Sequence, residues 1–241
     1  MRILLANPNT SQSVTDAMAA AARAVAGPGV EIKPVTATFG ARIIASRAEA
    51  AVAEHAVLDL LAQEADGCDG VIIGASLDSG LTAARELLRI PVVGLTEAAL
   101  HVACLTGPRF GVVTGAAQGA VNARELIAGY GLLGRLAGLR WFDRDSATIL
   151  REPQAAARAI VPMVQALVRG DLADVVVLTG AVMAGMPALV QGEVPVPVLE
   201  GVSCAVALVE ALVRLTVPRV AGVGPREVVA LSAALTRRIN G

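Results

Sequence analysis

Several things are scarce in this sequence of 241 residues, and each scarcity removes a class of function. Charged residues make up only 17%, the net charge is −1, and no run of Lys or Arg occurs. Without a basic stripe there is no footprint for a phosphate backbone. Aromatic residues make up 2%, with one Trp, one Tyr and three Phe, so no platform for stacking bases exists either. Nucleic acid is therefore not an expected partner. The three cysteines, Cys68, Cys104 and Cys204, are odd in number and far apart, and lack both C-x-x-C pairing and His neighbours at ligand spacing. Neither a disulfide framework nor a metal site is indicated. The most apolar stretch, "VVVLTGAVMAGMPALV", is interrupted by Thr179, Gly180, Gly185 and Pro187, which suits a buried strand, turn and helix better than a membrane span. The opening "MRILLANPNTS" is apolar for too few residues to be a signal peptide. A soluble, cytoplasmic protein is expected.

What the sequence does have is a series of short apolar runs, each followed by an Ala- and Leu-rich segment. "RILLAN", "VEIKPV", "GVIIGA", "IPVVGL", "RFGVVTG", "DVVVLTG" and "VPVPVL" are the strand candidates. Helices are predicted at roughly 11–25, 47–64, 80–88, 97–105, 117–129, 152–169, 183–190 and 202–215. Continuous rather than alternating apolarity implies strands covered on both faces, hence parallel sheets in a layered α/β architecture. An internal repeat divides the chain. "DGVIIGASLDSGL" from Asp69 aligns with "DVVVLTGAVMAGM" from Asp174, and "RILLANPNT" from Arg2 with "RFGVVTGAA" from Arg109, all at a spacing of about 106 residues. The expectation is two pseudosymmetric lobes, each a small parallel sheet flanked by helices. The first lobe would be 1–95 plus 205–241, the second 96–204. Ligands of such sheets bind at the carboxyl ends of strands, which directs attention to the loops that follow them and to a cleft between the lobes.

In "NPNTS", Asn7, Asn9, Thr10 and Ser11 can bind a small anion at the start of a helix, or form an Asx-turn with an N-cap. In "GASLDSG", Gly74 and Ala75 permit close backbone approach and Ser76 can donate a hydrogen bond. Asp78 is a general base, a helix cap, or both. "LTEAALH" places Glu97 in a first helical turn, where it suits the dipole, and His101 one turn later on the same face, where a packing role is the simpler reading. Thr114, Thr179, Gly180 and Ala181 follow strands of the second lobe. Cys204 is the cysteine nearest a strand end.

"ILLANPNTS", "VIIGASLDSGL", "PVVGLTEAALHVA", "VVLTGAVMAGM" and "VPVLEGVSCAV" together resemble the aspartate/glutamate/hydantoin racemase superfamily, closest to the hydantoin and allantoin racemases. The resemblance spans nearly the whole chain. It implies two α/β lobes, homo-oligomers, no cofactor, and a small carboxylate or cyclic ureide as substrate. It also implies one cysteine per lobe as acid and base on opposite faces of an acidic carbon. Carried over residue by residue, those cysteines fall at Ala75 and Gly180, and neither thiol is present. The resemblance thus predicts a racemase-type isomerase whose acid/base groups lie elsewhere, with Ser76, Asp78, Glu97, His101 and Cys204 as candidates. Substrate contacts are expected from Asn7, Asn9, Thr10, Ser11, Ala75, Ser76, Thr114, Thr179, Gly180 and Ala181. A decarboxylase of the arylmalonate type and a non-catalytic binder are the alternatives.

Overall fold

A computed structural model describes residues 1–216 and 227–240. Part of the predicted 205–241 segment, residues 217–226 and 241, lies outside the described residues. The chain divides into two units, residues 1–94 with those from 206 onward, and residues 95–205.

In the first unit, β1 (Arg2–Asn7), β2 (Glu31–Thr36), β3 (Gly70–Ile73) and β4 (Val92–Gly94) form a parallel sheet of order β2-β1-β3-β4. Helices α1 (Gln12–Val25), α2 (Arg47–Glu64) and α3 (Leu81–Leu87) connect the strands. β1 and β3 are buried along almost their whole length, which explains their unbroken apolar runs. Leu4, Val71, Ile73 and Val92 pack with Val57, Leu61 and Ala84 from α2 and α3, each large side chain contributing about 1.5–3 kcal/mol by burial. Pro34 is tolerated in β2 because that strand is at the sheet edge. Ser46 and Glu49 open α2 with a capping box: Ser46 Oγ accepts from the Glu49 N–H (3.2 Å) and Glu49 Oε2 from the Ser46 N–H (2.7 Å).

In the second unit, α4 (Leu95–Thr106) follows β4 directly. Strands β5 (Phe110–Thr114), β6 (Leu136–Trp141), β7 (Val175–Leu178) and β8 (Val198–Glu200) form a parallel sheet of order β6-β5-β7-β8, the same order as in the first unit. Between strands run α5 (Ala117–Gly129), α6 (Ser146–Arg151), α7 (Pro153–Asp171) and α8 (Pro187–Val190). Val113, Val176, Leu178 and Val198 pack on Ile160, Val164 and Leu167 of α7. Helix α9 (Gly201–Arg214) begins in this unit and continues past residue 205 into the first. Helix α10 (Ala233–Asn240) packs on α2, with Arg238 2.7 Å from Asp66.

Three sequence expectations differ. β6 was not among the seven strand candidates: "LAGLRW" has no continuous apolar run, because an edge strand is only half-buried. The helix expected at 183–190 is a single 3-10 turn at Ala181–Met183 followed by the short α8, since Gly180, Gly185 and Pro187 punctuate it. α6 and α10 are additional.

Candidate functional site

At the end of β1 in the first unit, Asn7 is fully buried. Its Nδ2 donates to Asn9 Oδ1 (3.0 Å), Thr15 Oγ1 (2.9 Å) and the Ser11 carbonyl (3.2 Å), while its Oδ1 accepts from the Asn9 N–H (3.2 Å). Asn9 Oδ1 also accepts from the Ser11 N–H at 2.9 Å. The network extends through Thr15 to Thr36 (2.6 Å) and on to Gln12. "NPNTS" is therefore a tightly self-satisfied Asx-type turn. Ser11 occupies the N-cap position of α1, but its side chain pairs with Ser13 at 3.0 Å rather than with the helix backbone. Thr10 is held by its N–H on the Ala41 carbonyl (3.0 Å).

The turn after β3 bends sharply. The Asp78 N–H donates to the Ala75 carbonyl (3.2 Å) and the Leu81 N–H to the Asp78 carbonyl (3.0 Å), with Asp78 at φ 48°. Ala75 and Asp78 are buried and Ser76 is half-buried. The Asp78 carboxyl lies against Gly94, where a Cβ would come within 2.4 Å of its Cγ. A glycine at the end of β4 therefore makes room for this acid. The expected cap falls instead at Gly80, the residue preceding α3. Gly74 is small for a packing reason: Met18 of α1 fills the place of its side chain. Ser79, also buried, has a hydroxyl without a hydrogen-bond partner.

In the second unit, the β5 and β7 ends are adjacent, with Val113 opposite Leu178 and the Thr179 N–H donating to the Val113 carbonyl (2.9 Å). Thr114 and Thr179 follow side by side, both buried. Gly180 has φ 126°, outside the range favoured by side-chain-bearing residues, and opens the 3-10 turn that contains Ala181. Glu97 is half-buried in the first turn of α4. His101 lies exposed one turn later, its Nδ1 donating to the Glu97 carbonyl (2.8 Å) and its ring edge-on to Tyr130. That arrangement matches a locally satisfied surface histidine.

The sequence did not single out Glu200. This carboxylate ends β8 and is 1% exposed. Oε2 accepts from the Val202 N–H (2.7 Å), and Oε1 from the Ser203 N–H (2.8 Å) and the Ser203 hydroxyl. It satisfies the first free N–H groups of α9. Burial pushes its pKa above the usual carboxylate value, against the opposing effect of the three hydrogen bonds. The available signal was an acid at the end of an apolar run, directly before a helical segment, in "VLEGVS". Burial, with the neighbouring Glu200 charge adding to it, pushes the Cys204 thiol up to about 12. Cys204 is thus held protonated, which makes it a poor base. Among the described residues, no group of three or more His, Cys, Asp or Glu side chains is placed to hold a metal ion, and no helix is long and apolar enough to cross a membrane.

The sequence model of the family described as Asp/Glu/Hydantoin racemase matches residues 3–209. A hydantoin racemase from Paenarthrobacter aurescens is 30% identical over 217 residues, covering 89% of this chain and 92% of that one. The crystal structure of an allantoin racemase from Pseudomonas fluorescens superposes with a TM-score of 0.91 at 34% identity, over 95% of this chain and all of the other. Arylmalonate decarboxylase shares the fold at lower similarity, with a TM-score of 0.62, 15% identity, and coverage of 88% of this chain and 92% of that one.

Proposed function

Because the chain belongs to the Asp/Glu/hydantoin racemase family, we propose that it is a cofactor-independent isomerase of the hydantoin or amino-acid racemase type, moving a proton at a carbon next to a carbonyl. The observation that carries this reading is the 34% identity and TM-score of 0.91 with an allantoin racemase over nearly the full chain. The substrate class it implies is a cyclic ureide or a small carboxylate.

In this reading the acid/base groups are not two thiols. Ala75 and Gly180 stand where the family resemblance puts the cysteines, Cys68 precedes β3, Cys104 is in the last turn of α4, and the Cys204 thiol is held protonated. Asp78 is the favoured base: it is a buried carboxylate in the turn after β3, in a backbone conformation uncommon for a non-glycine residue. A carboxylate beside the acidic carbon takes its proton, the electron pair moves into the neighbouring carbonyl, and hydroxyl and N–H donors hold the oxyanion until a proton returns on the other face. Ser76 is the favoured donor in the first unit. Such groups are weaker than thiolates, so turnover is expected to be slow.

The test is deuterium exchange and loss of optical rotation with single enantiomers of 5-substituted hydantoins and of allantoin. Exchange is expected to persist in a variant with Cys68, Cys104 and Cys204 all replaced by Ala, and to fall sharply in Asp78→Asn. Absence of exchange across the panel removes the isomerase reading. Carbon dioxide release from arylmalonates would then indicate a lyase, and saturable binding without turnover a binder.

A further inference from the structure

We infer that the Thr179 hydroxyl is a ligand contact, donating a hydrogen bond to a carbonyl or carboxylate oxygen of the bound molecule. Thr179 is 6% exposed, and its Oγ1 is buried without a hydrogen-bond partner. An unpaired buried hydroxyl destabilises a fold, and Val would fill the same volume without that penalty. The polar atom therefore has a use outside the folded chain itself.

Its surroundings support this. Leu178, the preceding residue, packs into the cluster on α7, so strand alternation sends Thr179 to the opposite face at the carboxyl end of the sheet. That is where parallel sheets receive ligands. The corresponding place in the first unit differs. There the residue after β3 is Gly74, whose side-chain volume is taken by Met18, and the neighbouring Asn7 is fully engaged by its own turn. The first unit's own unpaired buried hydroxyl, Ser79, lies five residues further along, next to the start of α3 rather than at the strand end. Beside Thr179, a Cβ built on Gly180 would sit in ordinary contact with the side chains of Met183 (3.6 Å) and Val182 (3.9 Å).

The inference rests on the isomerase reading only for the ligand class, and its test needs no turnover. Thr179→Val keeps the shape and removes the hydroxyl, while Thr179→Ser keeps the hydroxyl. Melting temperature of the unliganded proteins and calorimetric binding of hydantoin and of malonate are measured side by side. Thr179→Val is expected to melt at or above the wild-type temperature yet bind about tenfold more weakly, with Thr179→Ser restoring most of the affinity. Weakening towards hydantoin alone identifies a ring carbonyl as the acceptor, and towards malonate alone a carboxylate. Three results overturn the assignment: unchanged affinity in Thr179→Val, a clearly lower melting temperature, which would reveal an internal partner, or no wild-type binding to either probe. Wild-type binding without any deuterium exchange defeats the isomerase reading while leaving this contact standing.

Discussion

Replacing Glu200 by Ala gives the most direct test of the strand-end electrostatics. The carboxylate accepts two backbone N–H bonds at 2.7 and 2.8 Å and a hydroxyl bond, at the N-terminus of the 14-residue α9. Losing a helix cap costs about 0.5–2 kcal/mol, and leaving buried N–H groups without acceptors adds to it. Burying the charge works in the opposite direction, and relief of that penalty offsets part of the loss. The net expectation is about 2 kcal/mol of destabilisation near neutral pH, or a melting temperature lower by about 4–8 °C. The pH dependence is more discriminating than the magnitude. The folded-state pKa of Glu200 is raised above its ordinary 4.5, so the native state holds the proton more tightly than the unfolded chain. Its contribution is then fully present below the unfolded value and diminishes as pH rises through the folded one. The advantage of wild type over Glu200→Ala should accordingly be larger at about pH 4.5 than at about pH 8 in urea titrations of both proteins. A difference that grows with pH, or a variant within about 0.5 kcal/mol of wild type throughout, would refute the reasoning.

Two further outcomes follow from individual side chains. Asn7→Ala strips four hydrogen bonds from a fully buried turn and is expected to cost about 2–4 kcal/mol by urea denaturation, whereas a loss below about 0.5 kcal/mol would mean that the network is incidental. Gly180→Cys places a side chain at φ 126° and should cost about 1–3 kcal/mol, measured the same way; no such cost is expected for Ala75→Cys, whose backbone carries no positive φ, and equal costs at the two sites would contradict the account.

The parts legible in the sequence were those set by burial. Strands β1, β3, β5 and β7 are buried on both faces, so their apolar runs are continuous and easily found. β6 is an edge strand whose Gly138 and Arg140 break the pattern, and only its pairing with β5 gives it away. At the candidate site, residue types were readable but their obligations were not. "NPNTS" could serve a ligand or its own turn, and only the geometry shows Asn7 bonded entirely within the chain. The proximity of Asp78 to Gly94 depends on two strand ends meeting, which no local pattern encodes. Glu200 escaped notice because one acid before a helix is commonplace, and its significance comes from being almost completely buried.

The chain's partition also fixes an order of events during synthesis. Residues 95–205 form a unit that is inserted within the other, whose remaining piece begins at Val206 inside α9. A ribosome therefore completes the second sheet, β5 to β8, before it has made all of the first unit. The four strands of the first sheet emerge earliest, yet Val209 and Val213, which press against Gly70 of β3, and α10, which covers α2, come last. The early sheet has to wait with part of its apolar surface uncovered while more than a hundred residues are added. A chain cut before Val206 would carry a complete second unit and an unfinished first one.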